Sequence, residues 1–229
     1  MNTWIKVARF QLADRTSFTG LPWGILGINF AIWYVIAGSF GGGGVQVQSY
    51  NICTIYAVFL AVGMLSTFRS LPFALAMGVS RRAYYCGTML LVIGLSAING
   101  LVLALLKVLE EVSDGWGVGL HFFRVTYVLA GPWYLTWLSS FVGLALLFGY
   151  GMLYGLIYRR WSLFGLVAFV CLQVVAALTA VILVSRWHDW TSVGRFFTSL
   201  SAAGLTGLLA ALTVVLLAAG FATARRVTV

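Results

Sequence analysis

Few side chains in this sequence are equipped for chemistry, and their spacing narrows the choice. The two histidines, His121 and His188, lie far apart, and neither sits in an HExxH frame, so no metal site is expected. The three cysteines, Cys53, Cys86 and Cys171, form no CxxC pair and read as small packing residues. Two glycine-rich pieces differ from phosphate-binding loops. Glycines 41–44 are followed by Val45, Gln46 and Val47 instead of Lys-Ser or Lys-Thr, and Gly-Trp-Gly-Val-Gly at 115–119 has no strand signal before it. The chain is therefore expected to have no catalytic residues, no metal and no cofactor of its own.

What remains polar inside the apolar stretches is sparse: Asn29, Asn99, Gln173, Thr179, Thr206 and Thr213. In hydrocarbon such groups hydrogen-bond between helices. Asn29, Asn99, Gln173 and Thr206 are therefore read either as helix-to-helix contacts or as the lining of a substrate path. No apolar stretch carries Lys, Arg, Asp, Glu or His near its centre. That argues against an ion-driven carrier, which binds its coupling ion within the membrane, and against an intramembrane hydrolase.

The elements that carry these residues follow from composition. Of 229 residues, 62% are hydrophobic and only 8% are charged, against roughly 25% charged in a soluble domain. A soluble globule and a disordered chain are both excluded. The apolar runs are continuous and rich in Leu, Ala and Val, as in spanning helices of about 20 residues, and do not alternate in ten-residue segments as barrel strands do. The reading is an all-α integral membrane protein, one transmembrane domain over 1–229. Six spans are expected, at about 22–40, 50–68, 84–106, 132–158, 161–185 and 200–223, and the third can run on as helix past the membrane because Lys107 can pair with Glu110 and Glu111 at i+3 and i+4. Residues 1–21 precede them as an amphipathic elbow helix, with Trp4, Ile5, Ala8 and Leu12 on one stripe.

The formal net charge of +9 maps onto this topology. Lys6, Arg9, Arg15, Arg69, Arg81, Arg82, Arg159, Arg160, Arg225 and Arg226 fall on one side, and Lys107, Arg124, Arg186 and Arg195 on the other. The positive-inside rule then puts both termini in the cytoplasm, with the protein in the plasma (inner) membrane. The charge is an orientation signal, and nucleic acid is not an expected partner. Trp23 and Trp161 near inner boundaries, and Trp133, Trp137, Trp187 and Trp190 near outer ones, read as interfacial belts.

One connection is too long for a simple turn. Segment 69–83 reads Arg-Ser-Leu-Pro-Phe-Ala-Leu-Ala-Met-Gly-Val-Ser-Arg-Arg-Ala. Ser70 before Pro72 signals a helix start and Gly78 a stop, leaving a two-turn apolar helix with Phe73, Leu75 and Met77. Ser80 is placed to cap the third span. Arg81 and Arg82 then stand at that span's N-terminus, where the helix dipole disfavours cations. Anionic headgroups or an acidic partner surface would favour them there.

These residues, Leu71 to Tyr85, resemble the segment between spans two and three in membrane-spanning permease subunits of type-2 ABC exporters, the bacterial half-transporters. The likeness is residue-specific over Pro72 to Arg82; elsewhere it is one of topology. It implies an exporter permease that forms the substrate path as a dimer, with a second copy of this chain. Two copies of a separate ABC ATPase subunit, holding ATP and Mg, would dock through Arg69, Pro72, Phe73, Leu75, Met77, Gly78, Ser80, Arg81 and Arg82. It also implies that 192–205 is a re-entrant helix on the outer side. The external loop 107–131 is longer than a minimal member needs, and the turn at Arg159-Arg160 is very short. A membrane anchor or assembly subunit that transports nothing is the alternative, and an ion-coupled carrier ranks behind it. The aromatic, sparsely polar spans would suit an amphipathic or lipid-like cargo.

Overall fold

The computed structural model describes residues 16–40, 47–49, 51–124, 132–186, 190–191, 194–195 and 201–224. The apolar runs fold as helices: α1 (Leu21–Phe40), α2 (Cys53–Leu65), α3 (Leu71–Ala76), α4 (Arg81–Val112), α5 (Trp133–Arg186) and α6 (Ala202–Ala224). The strands among the described residues are two-residue pieces, β1 (Val47–Gln48) and β2 (Leu120–His121), paired in parallel with Val47 opposite Leu120. The architecture is otherwise all-α. Among the described residues, Phe18–Ser39, Cys53–Ala76, Arg81–Val112 and Trp133–Arg186 are long and apolar enough to cross a membrane, and α6 adds a further apolar helix.

At 1.5 Å per residue a straight α5 would be about 80 Å long. It is not straight. Ser162 has φ 56° and ψ −160°, and side chains meet across it. The Tyr154 hydroxyl donates to Gln173 Oε1 at 2.7 Å, Gln173 Nε2 donates to the Tyr150 hydroxyl, and the rings of Tyr154 and Phe169 lie edge to face at 5.7 Å. Residues so far apart along one helix touch only if the chain reverses, so α5 is a helical hairpin with arms 133–161 and 163–186. The sequence placed the reversal at Arg159-Arg160. The helix instead runs on through both, and the Arg160 guanidinium lies 4.7 Å from the centre of the Trp161 ring.

Two prolines sit inside helical runs instead of at their starts. A five-residue π-helical turn precedes each, Thr16–Gly20 before Pro22 and Ser66–Ser70 before Pro72. Proline crowds the carbonyl four residues back and offers no N–H; the wider π turn makes room for it. As a result α2 runs into α3 without a loop. Ser70, expected to begin a separate helix, has helical backbone (φ −81°, ψ −31°) and its side chain caps nothing. Residues 16–20, expected as the end of the elbow, likewise continue into α1; the rest of that segment, 1–15, lies outside the described residues. The two sites share a sequence pattern, Ser-Phe-Thr-Gly-Leu-Pro-Trp at 17–23 and Thr-Phe-Arg-Ser-Leu-Pro-Phe at 67–73.

The centre of the bundle is a close contact between α2 and the first arm of α5. Gly63 sits against the Phe148 carbonyl, Gly151 against the Leu60 carbonyl and Gly155 against Thr67, each too near for a side chain. The small-xxx-small spacing of Gly151 and Gly155 thus marks a real helix contact. Phe59, Val62, Val92, Leu144 and Phe148 fill the core around it. α1 enters at mid-height, where Phe18 stacks on Phe148 at 6.4 Å, and rises toward the end far from Arg81, where Phe30 meets Phe122 at 5.4 Å; Trp23, expected near the inner boundary, thus stands against Asn99 toward the opposite end.

Candidate functional site

Segment 69–83 forms a compact, capped turn at the arginine-rich end. α3 ends in a Schellman motif: the Val79 N–H bonds the Ala74 carbonyl and the Gly78 N–H bonds that of Leu75, both at 3.0 Å. Gly78 takes φ +79°, which explains why glycine stands there. Ser80 has extended backbone, and its hydroxyl accepts from the Ala83 N–H at 3.3 Å, capping α4. Both the predicted stop and the predicted cap are therefore present.

The turn is seated on the bundle through Leu71, Ala74, Tyr84 and Leu156, with Leu75 and Val79 packed against them. The Tyr84 hydroxyl donates to the Ser66 carbonyl at 2.9 Å, tying the start of α4 to the π turn. Phe73 and Met77, one helical turn apart, point outward and are 51% and 56% exposed. Leu75 was expected beside them; it is half-buried in its own chain, because only one face of a two-turn helix can face outward. Pro72 and Arg81 are half-buried, Gly78, Ser80 and Arg82 are exposed, and the Arg69 side chain lies outside the described residues. The neighbouring Arg159 keeps Nη1 buried with no hydrogen bond among the described residues.

The interior polar residues do not converge. The Trp23 indole donates to Asn99 Oδ1 at 2.7 Å, and Asn99 Nδ2 donates to the Leu95 carbonyl. Gln173 bridges the two arms of α5. The Thr206 hydroxyl donates to the Ala202 carbonyl of its own helix, as Thr179 and Thr213 do to theirs. Asn29 is half-buried on α1. Asn99 and Gln173 hold elements together, and Thr206 bonds within its helix.

A second cluster was read from the sequence only in part. Residues 107–112 continue α4 as the Lys107 spacing suggested, but Lys107 and Glu110 are buried at 3% and 1% exposure, and nothing in the sequence signalled that. Lys107 Nζ donates to Thr136 Oγ1 at 3.1 Å and stands 3.6 Å from Glu111. Glu110 Oε2 accepts from the N–H of Phe122 (2.8 Å), the N–H of Phe123 (2.9 Å) and the Trp116 indole (3.2 Å). Its other oxygen lies 3.8 Å from His121 Nδ1, too far for a hydrogen bond. Lys107 is 26 residues from Arg81 along a helix rising 1.5 Å per residue, so it stands about 39 Å away, beyond a hydrocarbon layer of about 30 Å. These charges are thus buried in protein at the far end and do not need hydrocarbon around them. Three main-chain or indole donors on one carboxylate fold segment 115–123 down onto α1 and α4.

Of the expected re-entrant segment 192–205, residues 192–193 and 196–200 lie outside the described residues and 202–205 begin α6; His188, Arg225 and Arg226 also lie outside them. No family model, no curated protein and no solved structure matches the chain.

Proposed function

We propose that this chain is the membrane permease subunit of an ATP-driven exporter. In this reading six helices span the plasma membrane, with both termini and the arginine-rich end in the cytoplasm. Two copies enclose the path, and two separate ATPase subunits, which hold ATP and Mg, dock against the turn between α2 and α4. The observation that carries the reading is α3 itself: a rigidly capped helix that turns Phe73 and Met77 outward beside Arg81 and Arg82, at the end of two long apolar helices. A docking element needs an outward apolar pair and a stiff link to whatever it moves. Here the link is the unbroken helix from α2 and the Tyr84–Ser66 bond to α4. ATP binding would do work only by making the partner prefer one arrangement of these helices over the other.

The test is to uncouple without unfolding. Gly78→Pro, or Arg81→Glu with Arg82→Glu, is expected to leave the protein inserted and monodisperse while export and the stimulation of ATP hydrolysis are lost. Full export and full ATPase stimulation in both variants would exclude the docking role.

A further inference from the structure

We infer that the far end of the bundle carries a binding site for one hydrocarbon chain. A cavity of about 260 Å³ opens between α1, the end of α4 and segment 115–123, lined by Trp23, Leu26, Gly27, Phe30, Leu106, Trp116 and Phe123. None of these side chains offers a free hydrogen-bonding group. The Trp23 indole N–H is held by Asn99 and that of Trp116 by Glu110. Sugars, ions and peptides would lose hydrogen bonds on entering, whereas methylene groups lose none. At about 30 Å³ for a water-sized group, the space accepts roughly eight methylenes.

The wall is built for this purpose more firmly than a chance gap between helices requires. Trp116 has φ 61°, a rare conformation for a bulky residue, and Gly115, Gly117 and Gly119 around it all take positive φ. A side chain on Gly115 would strike the Leu120 backbone at 2.8 Å. The glycine-rich piece that failed as a nucleotide loop therefore has another use. It lays Trp116 across the cavity, and the buried Glu110 locks Trp116 and Phe123 in place. On the opposite wall, a side chain on Gly27 would meet no atom within 4 Å, so there is room for a larger residue there. The site runs from Trp23, bonded to Asn99 about 27 Å from Arg81, to Leu106 about 38 Å away, and so straddles the outer edge of a hydrocarbon layer of about 30 Å when Arg81 stands at the inner edge. An amphiphile there keeps its head in water and its chain in the cavity. The site is remote from α3 and does not rest on the exporter reading.

The test places the full chain in lipid nanodiscs with a long-chain alcohol carrying a mid-chain diazirine. A separate arm uses phosphatidylcholine with the same group on one acyl chain. After illumination, cross-linked peptides are mapped. Residues 23–30 and 116–123 should be labelled about tenfold more than the exposed arm 163–186, which reports bulk lipid contact. Gly27→Leu, which fills the cavity, should abolish the excess and leave 163–186 unchanged. Trp116→Ala, which removes the wall, should do the same should the leucine disturb folding. Labelling by the alcohol alone identifies a free amphiphile as occupant, and labelling by the phospholipid alone identifies a bilayer chain; either supports the site. Equal labelling of cavity and arm with both probes, or an excess that both variants leave intact, would overturn it.

Discussion

At the far end, one carboxylate oxygen of Glu110 accepts three hydrogen bonds from segment 115–123. Replacing Glu110 with alanine leaves two buried main-chain N–H groups and an indole without an acceptor. Such losses typically cost about 3 kcal/mol. Glu110→Ala should lower the melting temperature of the solubilised protein and speed proteolysis within 113–124. Glu110→Gln retains one acceptor oxygen and should do so less. An unchanged melting temperature in Glu110→Ala would show that segment 115–123 is held by its aromatic contacts alone. The sequence offered Glu110 only as a helical partner of Lys107, and its three hydrogen-bond donors were not legible for a physical reason. Its partners lie 6 to 13 residues on, across a glycine-built turn, and no spacing rule links a carboxylate to main-chain donors that arrive by folding back. The local rules did serve at Gly78 and Ser80, because a left-handed stop and a hydroxyl cap depend only on the next few residues.

At the scale of elements, glycine decides which helices touch. A side chain at Gly151 would run into the Leu60 carbonyl, backbone that cannot turn aside, whereas one at Gly24 on α1 meets nothing within 4 Å. Gly151→Val should therefore force α2 and α5 apart at about 1–3 kcal/mol and reduce the yield of monodisperse protein. Gly24→Ala should raise stability slightly, by up to about 1 kcal/mol, through helix propensity. Equal yields for the two would mean that the α2–α5 contact yields easily. The hydrophobic runs were legible because period alone determines them, and the small-xxx-small spacing of Gly151 and Gly155 is a local signal of the same kind. The reading failed at Ser70 and at Arg159-Arg160. A proline normally signals a helix start, but here a π turn absorbs Pro72. A pair of arginines normally signals a turn, but here the reversal waits for Ser162, the one residue of that stretch with positive φ. The repeat of Leu-Pro-aromatic at 21–23 and 71–73 was the available clue that both prolines are treated alike.

Across the whole molecule, the second arm of α5 exposes Leu163, Phe164, Val167, Leu172, Val175, Leu178 and Ile182 with no charge between 163 and 185. Water would not tolerate that surface, and lipid or a second copy would cover it. With Arg81 and Arg82 at one end and Asp114 at the other, a cysteine-free variant carrying Arg82→Cys should be reached by a membrane-impermeant thiol reagent only after cells are opened. One carrying Asp114→Cys should react from outside. Labelling of both from the same side would break the proposed topology. Coupling of this chain to an ATPase through α3 is measured by purifying it in mild detergent, reconstituting it in vesicles and following ATP hydrolysis. The comparison is between wild type and the double variant Phe73→Asp, Met77→Asp, matched for thermal stability. ATP hydrolysis should co-purify with the wild type and fall about tenfold in the variant, as expected when the apolar anchors of an interface are lost. No ATP hydrolysis with the wild type, or equal activity in both, would contradict coupling through α3.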